Sequence, residues 1–337
     1  MQIDIILNEF TSPSENAELS ALAEDYGCRA VWSPSFASGR NPFLNLALAA
    51  GSTNKVRLGA LAVSPMEMPP LVMSNALLTL NELCNGRGLI AVGGGGGVLG
   101  AMGLKGTRIV KSVRECVEIL KGATSEEVLN YKGDIYQAFA YQPRVWNKET
   151  PPQIYVAASH PQMTRMATET ADGLIGSDLI PSMVRETMEI VGPGLLSNGR
   201  SGQPFGISNF WAWHIKRDKQ EAMREARREL AGRGMLWPRY TEACLSKEDS
   251  DFVQDNMDEF WKAFWQRTDH IEGVPETILN TLIDKLSSAG DLNDLDREIE
   301  RMKEFEAAGL TEIALRVFDD PAEGIKLIGE HVVPAVQ

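Results

Sequence analysis

Four stretches of this chain hold residue types and spacings that can do chemistry. The first is Val92-Gly93-Gly94-Gly95-Gly96-Gly97-Val98-Leu99-Gly100. Glycine permits close backbone approach and positive φ. Gly95, Gly97 and Gly100 formally spell the G-x-G-x-x-G of a dinucleotide fold. A five-glycine run matches many such patterns, however, and it follows the fourth strand candidate where that fingerprint normally follows the first. A loop laid against a flat cofactor ring at a barrel mouth fits better, with a merely flexible loop as the alternative. The second stretch is Pro152-Gln153-Ile154-Tyr155-Val156-Ala157-Ala158-Ser159-His160-Pro161-Gln162-Met163. A strand ends there in small residues and a helix begins, with Pro161 suited to its first turn. Free N–H groups and the Ser159 hydroxyl suit a phosphate. Ser159 as a plain helix cap fits equally well, and His160 reads as a polar helix-start residue. The third stretch is Asn8-Glu9-Phe10, where a carboxylate past a strand end suits a proton donor or substrate anchor, or is simply solvated. The fourth, Leu61-Ala62-Val63-Ser64-Pro65, reads as a buried strand stopping at a proline.

The elements that position these stretches are short apolar runs alternating with amphipathic ones. Strands are expected at Ile3–Leu7, Arg29–Trp32, Val56–Val63, Leu89–Val92, Ile154–Ala158, Leu174–Ile175, Phe205–Ile215 and Thr311–Val317, with helices between most of them. Asp134–Tyr141 reads as an extended excursion. Continuous apolar strands separated by helices imply parallel sheet. Eight such units in 337 residues fit an α/β protein of the (β/α)8 barrel type with insertions, a doubly wound sheet being the competitor. Residues 1–337 read as one domain, with a helical insertion or lid at about 218–285. Trp211, Trp213, Trp237, Trp261 and Trp265 are candidates to line an apolar pocket. Trp261 and Trp265 share a helix face, which better fits core or lid packing.

Composition narrows the function classes. Lys plus Arg is 33 against 46 Asp plus Glu, a net charge of −13. That argues against nucleic acid and against anionic membrane surfaces as partners. No apolar stretch approaches a spanning helix, and the N-terminus lacks the basic start of a signal peptide. Four scattered cysteines without C-x-x-C read as reduced thiols of a cytoplasmic protein. No H-x-x-x-H or G-x-S-x-G motif appears, so no metal site or hydrolase elbow is expected.

Taken together, the segments resemble the bacterial luciferase-like superfamily, and within it the deazaflavin-dependent reductases and dehydrogenases typified by methylenetetrahydromethanopterin reductase. The carriers are Ala23-Glu24-Asp25-Tyr26-Gly27-Cys28-Arg29-Ala30-Val31-Trp32, Asn54-Lys55-Val56-Arg57-Leu58-Gly59, Leu80-Asn81-Glu82-Leu83-Cys84-Asn85-Gly86-Arg87, and Pro151 to Met163 followed by Ala171-Asp172-Gly173. Their order covers nearly the whole chain and favours the barrel over the doubly wound sheet. The resemblance implies coenzyme F420, or alternatively FMN, at the C-terminal mouth. It implies a non-prolyl cis peptide at Leu61-Ala62, with Leu61, Ala62, Val63 and Ser35 at the ring. Gly93, Gly94, Gly95, Gly96, Gly97 and Val98 would lie beside the cofactor's side chain. Ala158, Ser159, His160, Gln162 and Met163 would take the phosphate, with Gly176 and Ser177 after the sixth strand. Ser35-Phe36 stands where many deazaflavin enzymes carry Asp-His, so the usual imidazole is missing.

The resulting expectation is an oxidoreductase moving hydride between coenzyme F420 and a small organic substrate. Glu9 is the candidate catalytic proton handler; Asn8, Phe10, Phe36, Trp211 and Trp237 are candidate substrate contacts. The runner-up is an FMN-dependent monooxygenase supplied by a partner flavin reductase, and the third reading is a non-catalytic flavin-binding protein. A homodimer or higher homo-oligomer is the expected assembly. The acidic balance demands local cations for an anionic cofactor, with Lys105, Arg108, Lys111 and Arg165 as candidates.

Overall fold

The computed structural model describes residues 1–125, 127–143, 150–233 and 236–336. Its strands are β1 (Gln2–Ile6), β2 (Ala30–Pro34), β3 (Arg57–Val63), β4 (Gly88–Val92), β5 (Leu129–Lys132), β6 (Gln137–Tyr141), β7 (Gln153–Ala157), β8 (Gly173–Ser177), β9 (Gly206–Ile215), β10 (Ser288–Gly290) and β11 (Glu312–Arg316). Eight of them, in the order β1-β2-β3-β4-β7-β8-β9-β11 and back to β1, pair in parallel and close a barrel. These are the eight expected strands. The expected extended excursion is an antiparallel hairpin, β5 with β6, outside the barrel. The three-residue β10 pairs with Trp213–Ile215, at the far end of β9, and is too short to register as a pattern.

The barrel strands bury side chains on both faces. Ile3, Ile5 and Leu7 pack outward against helices, while Ile6, Ala30, Trp32, Leu61, Leu89, Ala91, Tyr155, Ile175 and Ala314 fill the interior. The helices start on side chains that accept orphan amide hydrogens. Ser12 and Glu15 form a capping box before Pro13–Asp25, Asn41 caps Pro42–Ser52, and Asp218 caps Lys219–Arg228. Gly59 lets β3 approach the Trp32 ring; a Cβ there would stand 2.4 Å from Trp32 Cε3.

The barrel floor is polar. The Asp4 carboxylate accepts from Arg29 Nε at 2.8 Å and from Trp32 Nε1 at 2.8 Å. Arg29 also pairs with Glu312 at 3.0 Å, and the Tyr155 hydroxyl donates to Glu312 at 2.9 Å. Asp4, Arg29, Glu312 and Tyr155 thus pair with one another at the floor, the end opposite the barrel mouth.

At the mouth β3 shifts register against β4 between Ala60 and Val63, a β-bulge centred on Leu61-Ala62. The implied cis peptide is not present: all described peptides are trans, and the extra residue of the bulge is what turns Ala62 inward. Between β9 and β10 the expected insertion is helical, with Lys219–Arg228, Pro238–Thr241, Lys247–Asp255, Met257–Gln266 and Glu276–Leu286. Trp261 and Trp265 stack there, with ring centroids 6.3 Å apart. No described helix is long and apolar enough to cross a membrane.

Candidate functional site

The C-terminal ends of the barrel strands surround a cavity of about 330 Å³. Its base is made of small residues: Ala62 on the bulge, Gly93 after β4, Ala157 ending β7 and Gly176 on β8. A Cβ on Gly93 would stand 3.1 Å from the Ala62 Cβ and 3.4 Å from the Ala157 Cβ, so any side chain there would fill the base. Leu61, Ser35, Phe36 and Phe210 form walls, and the glycine run Gly94 to Gly97 with Val98 forms one rim before the short helix Gly97–Ala101. Gly232, from the insertion, reaches the same cavity.

A larger cavity of about 890 Å³ continues outward and shares Gly94, Gly95, Ala157, Ser159 and Ser177 with the first. Its wall includes the N-terminus of helix Pro161–Thr170, with His160, Gln162 and Met163. His160 is the N-cap residue, and no side chain caps the helix. The first amides of a helix have no intrahelical acceptor, and the dipole there favours an anion. Ser159 is therefore not the cap: its side chain is hydrogen-bonded to that of Tyr240, whose ionisation burial pushes up. Arg239 donates to the Ser159 carbonyl, so helix Pro238–Thr241 pins the insertion to this end of the cleft. Ser177 lines both cavities and donates to Asp178 at 2.8 Å. Trp237 forms part of the outer wall.

Several expected residues lie elsewhere. Val63 is buried among the outer helices and offers only its carbonyl, to the Gly93 amide at 3.0 Å. Ala158 is likewise in the outer core. Trp211 is fully buried, donates to Ser288 Oγ at 2.9 Å and packs on Phe305 at 5.0 Å. For Ala158 and Trp211, successive side chains point to opposite faces, and the adjacent Ala157 and Phe210 line the cavity; on β3 the bulge brings Ala62 inward beside Leu61 and leaves Val63 outward. Asn8 shapes a turn by accepting from the Phe10 amide at 2.9 Å, and Phe10 is exposed; neither lines the cavity. Lys111 pairs with Asp134, while Lys105 and Arg165 are exposed and line neither cavity. Arg108 does line the outer cavity, 3.1 Å from Asp134.

Glu9 is buried and ion-paired with Arg316. It does not line the cavity; Arg316 does. The cavity also holds a carboxylate that sequence reasoning missed, Glu67, on the turn after β3. The Ser64 amide and the Ser35 side chain donate to it, yet burial dominates and holds its pKa above the usual carboxylate value.

This fold and cleft define a family. The luciferase-like monooxygenase model matches residues 3–312, and the chain belongs to that family. It is 26% identical over 322 residues to the 5,10-methylenetetrahydromethanopterin reductase of Archaeoglobus fulgidus, covering 94% of each chain. It is 28% identical over 209 residues to an F420-dependent glucose-6-phosphate dehydrogenase of Kineococcus radiotolerans, covering 56% of this chain and 60% of that one. The fold superposes on the coenzyme F420-dependent tetrahydromethanopterin reductase from Methanopyrus kandleri with a TM-score of 0.83 at 20% identity, over 100% of this chain and 99% of that one. It also superposes on the monooxygenase RslO1 from Streptomyces bottropensis with a TM-score of 0.69 at 20% identity, over the whole of both chains.

Proposed function

We propose that the chain is an oxidoreductase that moves hydride between coenzyme F420 and a small organic substrate. One observation carries this reading. The cavity based on Ala62, Gly93 and Ala157 runs directly into the uncapped N-terminus of helix Pro161–Thr170. A flat ring on a phosphate-bearing side chain needs both features in one cleft, and a Cβ at Gly93 would fill the ring's place. Relatives named for F420 support the choice of cofactor.

When bound, the deazaflavin supplies two-electron hydride chemistry. The Gln162 and Met163 amides would hold its phosphate, and Arg108 and Arg239 stand near that end. Ala62, Gly93 and Ala157 would set the plane of its ring. Phe36 and Phe210 give the ring-level cavity apolar walls, where a substrate would have to approach to roughly 3–3.5 Å.

Equilibrium titration of the purified protein with F420 and with FMN tests the reading. The expected result is micromolar or tighter binding of F420 and weaker binding of FMN. Micromolar FMN binding with no F420 binding overturns it in favour of a monooxygenase served by a flavin reductase. Failure of bound, reduced F420 to reoxidise against aldehydes, ketones and imines points instead to a non-catalytic binding protein.

Two further parts of the proposal rest on surface and thiol chemistry. Leu44 and Leu48, four apart on helix Pro42–Ser52, are exposed, as is Val72 on the adjacent helix Pro70–Leu83. Such apolar surface supports a homodimer, which sedimentation analysis of the wild type against Leu44→Glu checks. All four cysteines are free, which supports a reducing, cytoplasmic setting.

A further inference from the structure

Hydride transfer to a polarised double bond leaves a negative charge on the heteroatom unless a proton arrives with it. Among the described residues, the types usually suited to that task are absent from the cavity or occupied. None of the described residues lining the ring-level cavity is a histidine. Glu9 is committed to Arg316. Among the described residues, the charged side chains lining that cavity are Arg316, already neutralised, and Glu67.

We propose that Glu67 is the catalytic acid and base of this cavity, that Ser35 is its positioning residue, and that the substrate's reacting bond is C=O or C=N. The inference rests on the hydride-transfer reading above. Glu67 sits on a tight turn closed by its amide to the Ser64 carbonyl at 3.0 Å, next to Met68 to the same carbonyl at 2.9 Å. That turn follows the bulge, so the carboxyl shares a cavity with Ala62. Ser35 is held on the other side by its amide to the Leu61 carbonyl at 2.7 Å, and its side chain donates to Glu67. Both partners therefore hang from β2 and β3, two adjacent barrel strands.

The groups packed around the turn leave Glu67 free for the task. The Tyr136 hydroxyl, from the hairpin, donates to the Pro65 carbonyl at 3.1 Å. Gly106 approaches Met66, and the nearby Arg108 is paired with Asp134. None of these pairs with the Glu67 carboxyl. Burial, which favours the protonated form, opposes the two donated hydrogen bonds and outweighs them.

With reduced deazaflavin bound, a hydride would pass to the substrate carbon, the deazaflavin being oxidised by two electrons. The C=O or C=N π pair moves to the heteroatom, which takes the Glu67 proton. The product is an alcohol or amine, and the Glu67 carboxylate regains a proton from water. In the oxidative direction the carboxylate takes the proton from the O–H or N–H as hydride leaves.

The test uses the F420-loaded protein with three variants: Glu67→Gln, Glu67→Asp and Ser35→Ala. Infrared titration should show a protonated-carboxyl band that persists above the usual carboxylate range and disappears in Glu67→Gln. Ser35→Ala removes a hydrogen bond to the charged form, so its band should persist to higher pH. F420 affinity should stay within about threefold of wild type in Glu67→Gln. Reoxidation of the reduced, loaded protein by a panel of aldehydes, ketones and cyclic imines should slow by about 10²–10⁴-fold in Glu67→Gln. The wild type should lose rate as pH rises through this group's pKa, and Glu67→Gln should lose that limb. Glu67→Asp should restore the limb with part of the rate. Wild-type protein that binds no F420 overturns the underlying reading. Normal F420 binding with an unchanged band or an unchanged pH limb in Glu67→Gln overturns the role of Glu67 alone. Reoxidation by no member of the panel overturns the underlying catalytic reading, and the substrate class with it.

Discussion

Glu9, just past β1, and Arg316, at the end of β11, form an ion pair that is about nine-tenths buried on both sides. The two strands are neighbours, so the pair locks the barrel's seam at the end where the cavity opens. Arg316 also lies 5.0 Å from the Phe318 ring centroid and 5.9 Å from that of Phe210. Its Nε finds no acceptor among the described residues, so Glu9 is the principal compensation for its charge. Removing one partner of a buried pair leaves an uncompensated ion and costs about 3–5 kcal/mol. Glu9→Ala is expected to lose that much in urea unfolding. The Glu9→Ala/Arg316→Met double variant should lose less than the two single losses combined, because the orphaned charge is gone. An unchanged unfolding midpoint in Glu9→Ala would show that the pair contributes nothing.

Gly93 separates a structural role from a binding role. Its φ is not in the left-handed region, so a side chain is tolerated by the backbone. The Cβ would press on Ala62 at 3.1 Å and Ala157 at 3.4 Å, and branching would project into the cavity. Gly93→Val should therefore keep its circular dichroism spectrum while F420 affinity falls by more than about tenfold, roughly 1.4 kcal/mol. Wild-type affinity in a folded Gly93→Val protein would remove the ring from this cavity.

The order of strands was legible because each barrel strand is a continuous apolar run between turn residues. The glycine run after β4 and the Ser159-His160-Pro161 helix start were legible because backbone-exposing residues follow strands there. The inward parity of the strands was not. In a strand buried on both faces, Ala157 and Ala158, or Phe210 and Trp211, are equally apolar, so no alternation marks the interior. That is why Ala158 and Trp211 fell on the wrong face; Val63 did so because the bulge at Leu61-Ala62 reverses the parity of β3, and a bulge leaves no mark in an all-apolar run. Arg316 carried a usable signal: it ends the run Ile313-Ala314-Leu315 and shares a face with Glu312 and Ala314. Glu67 carried none, because a carboxylate in a proline-flanked turn normally faces water.

Glu312 on the barrel floor makes stability depend on pH in an unusual direction. Burial pushes its pKa up to about 7 from 4.5, with Arg29 opposing and Asp4 adding to the rise. A group whose pKa is raised on folding contributes stability that is present below the unfolded value near 4.5 and lost as pH rises through about 7. Glu312→Gln cannot ionise, while Asp4, Arg29 and Tyr155 remain. Between about pH 5 and pH 8 the wild-type melting temperature should fall relative to that of Glu312→Gln. Parallel melting curves across that window would show that Glu312 does not titrate there.

Arg108 tests where positive charge matters in a chain of net charge −13. It lines the outer cavity from a left-handed position with φ of 50°, and its partner Asp134 is exposed. An exposed pair contributes little to stability, so Arg108→Glu should fold normally. The reversed charge would sit beside the amides expected to take the cofactor's phosphate, and salt screens such a field beyond about 8–10 Å. Arg108→Glu should therefore weaken F420 binding on the order of tenfold at low ionic strength, with the deficit shrinking as salt is added. Arg165→Glu is the matched control, since Arg165 is exposed on the same helix as Met163 but lines neither cavity. Its smaller deficit would separate a local effect at the cleft from the general repulsion of an anion by an acidic protein. Equal deficits in the two variants would assign the effect to net charge and remove Arg108 from the site.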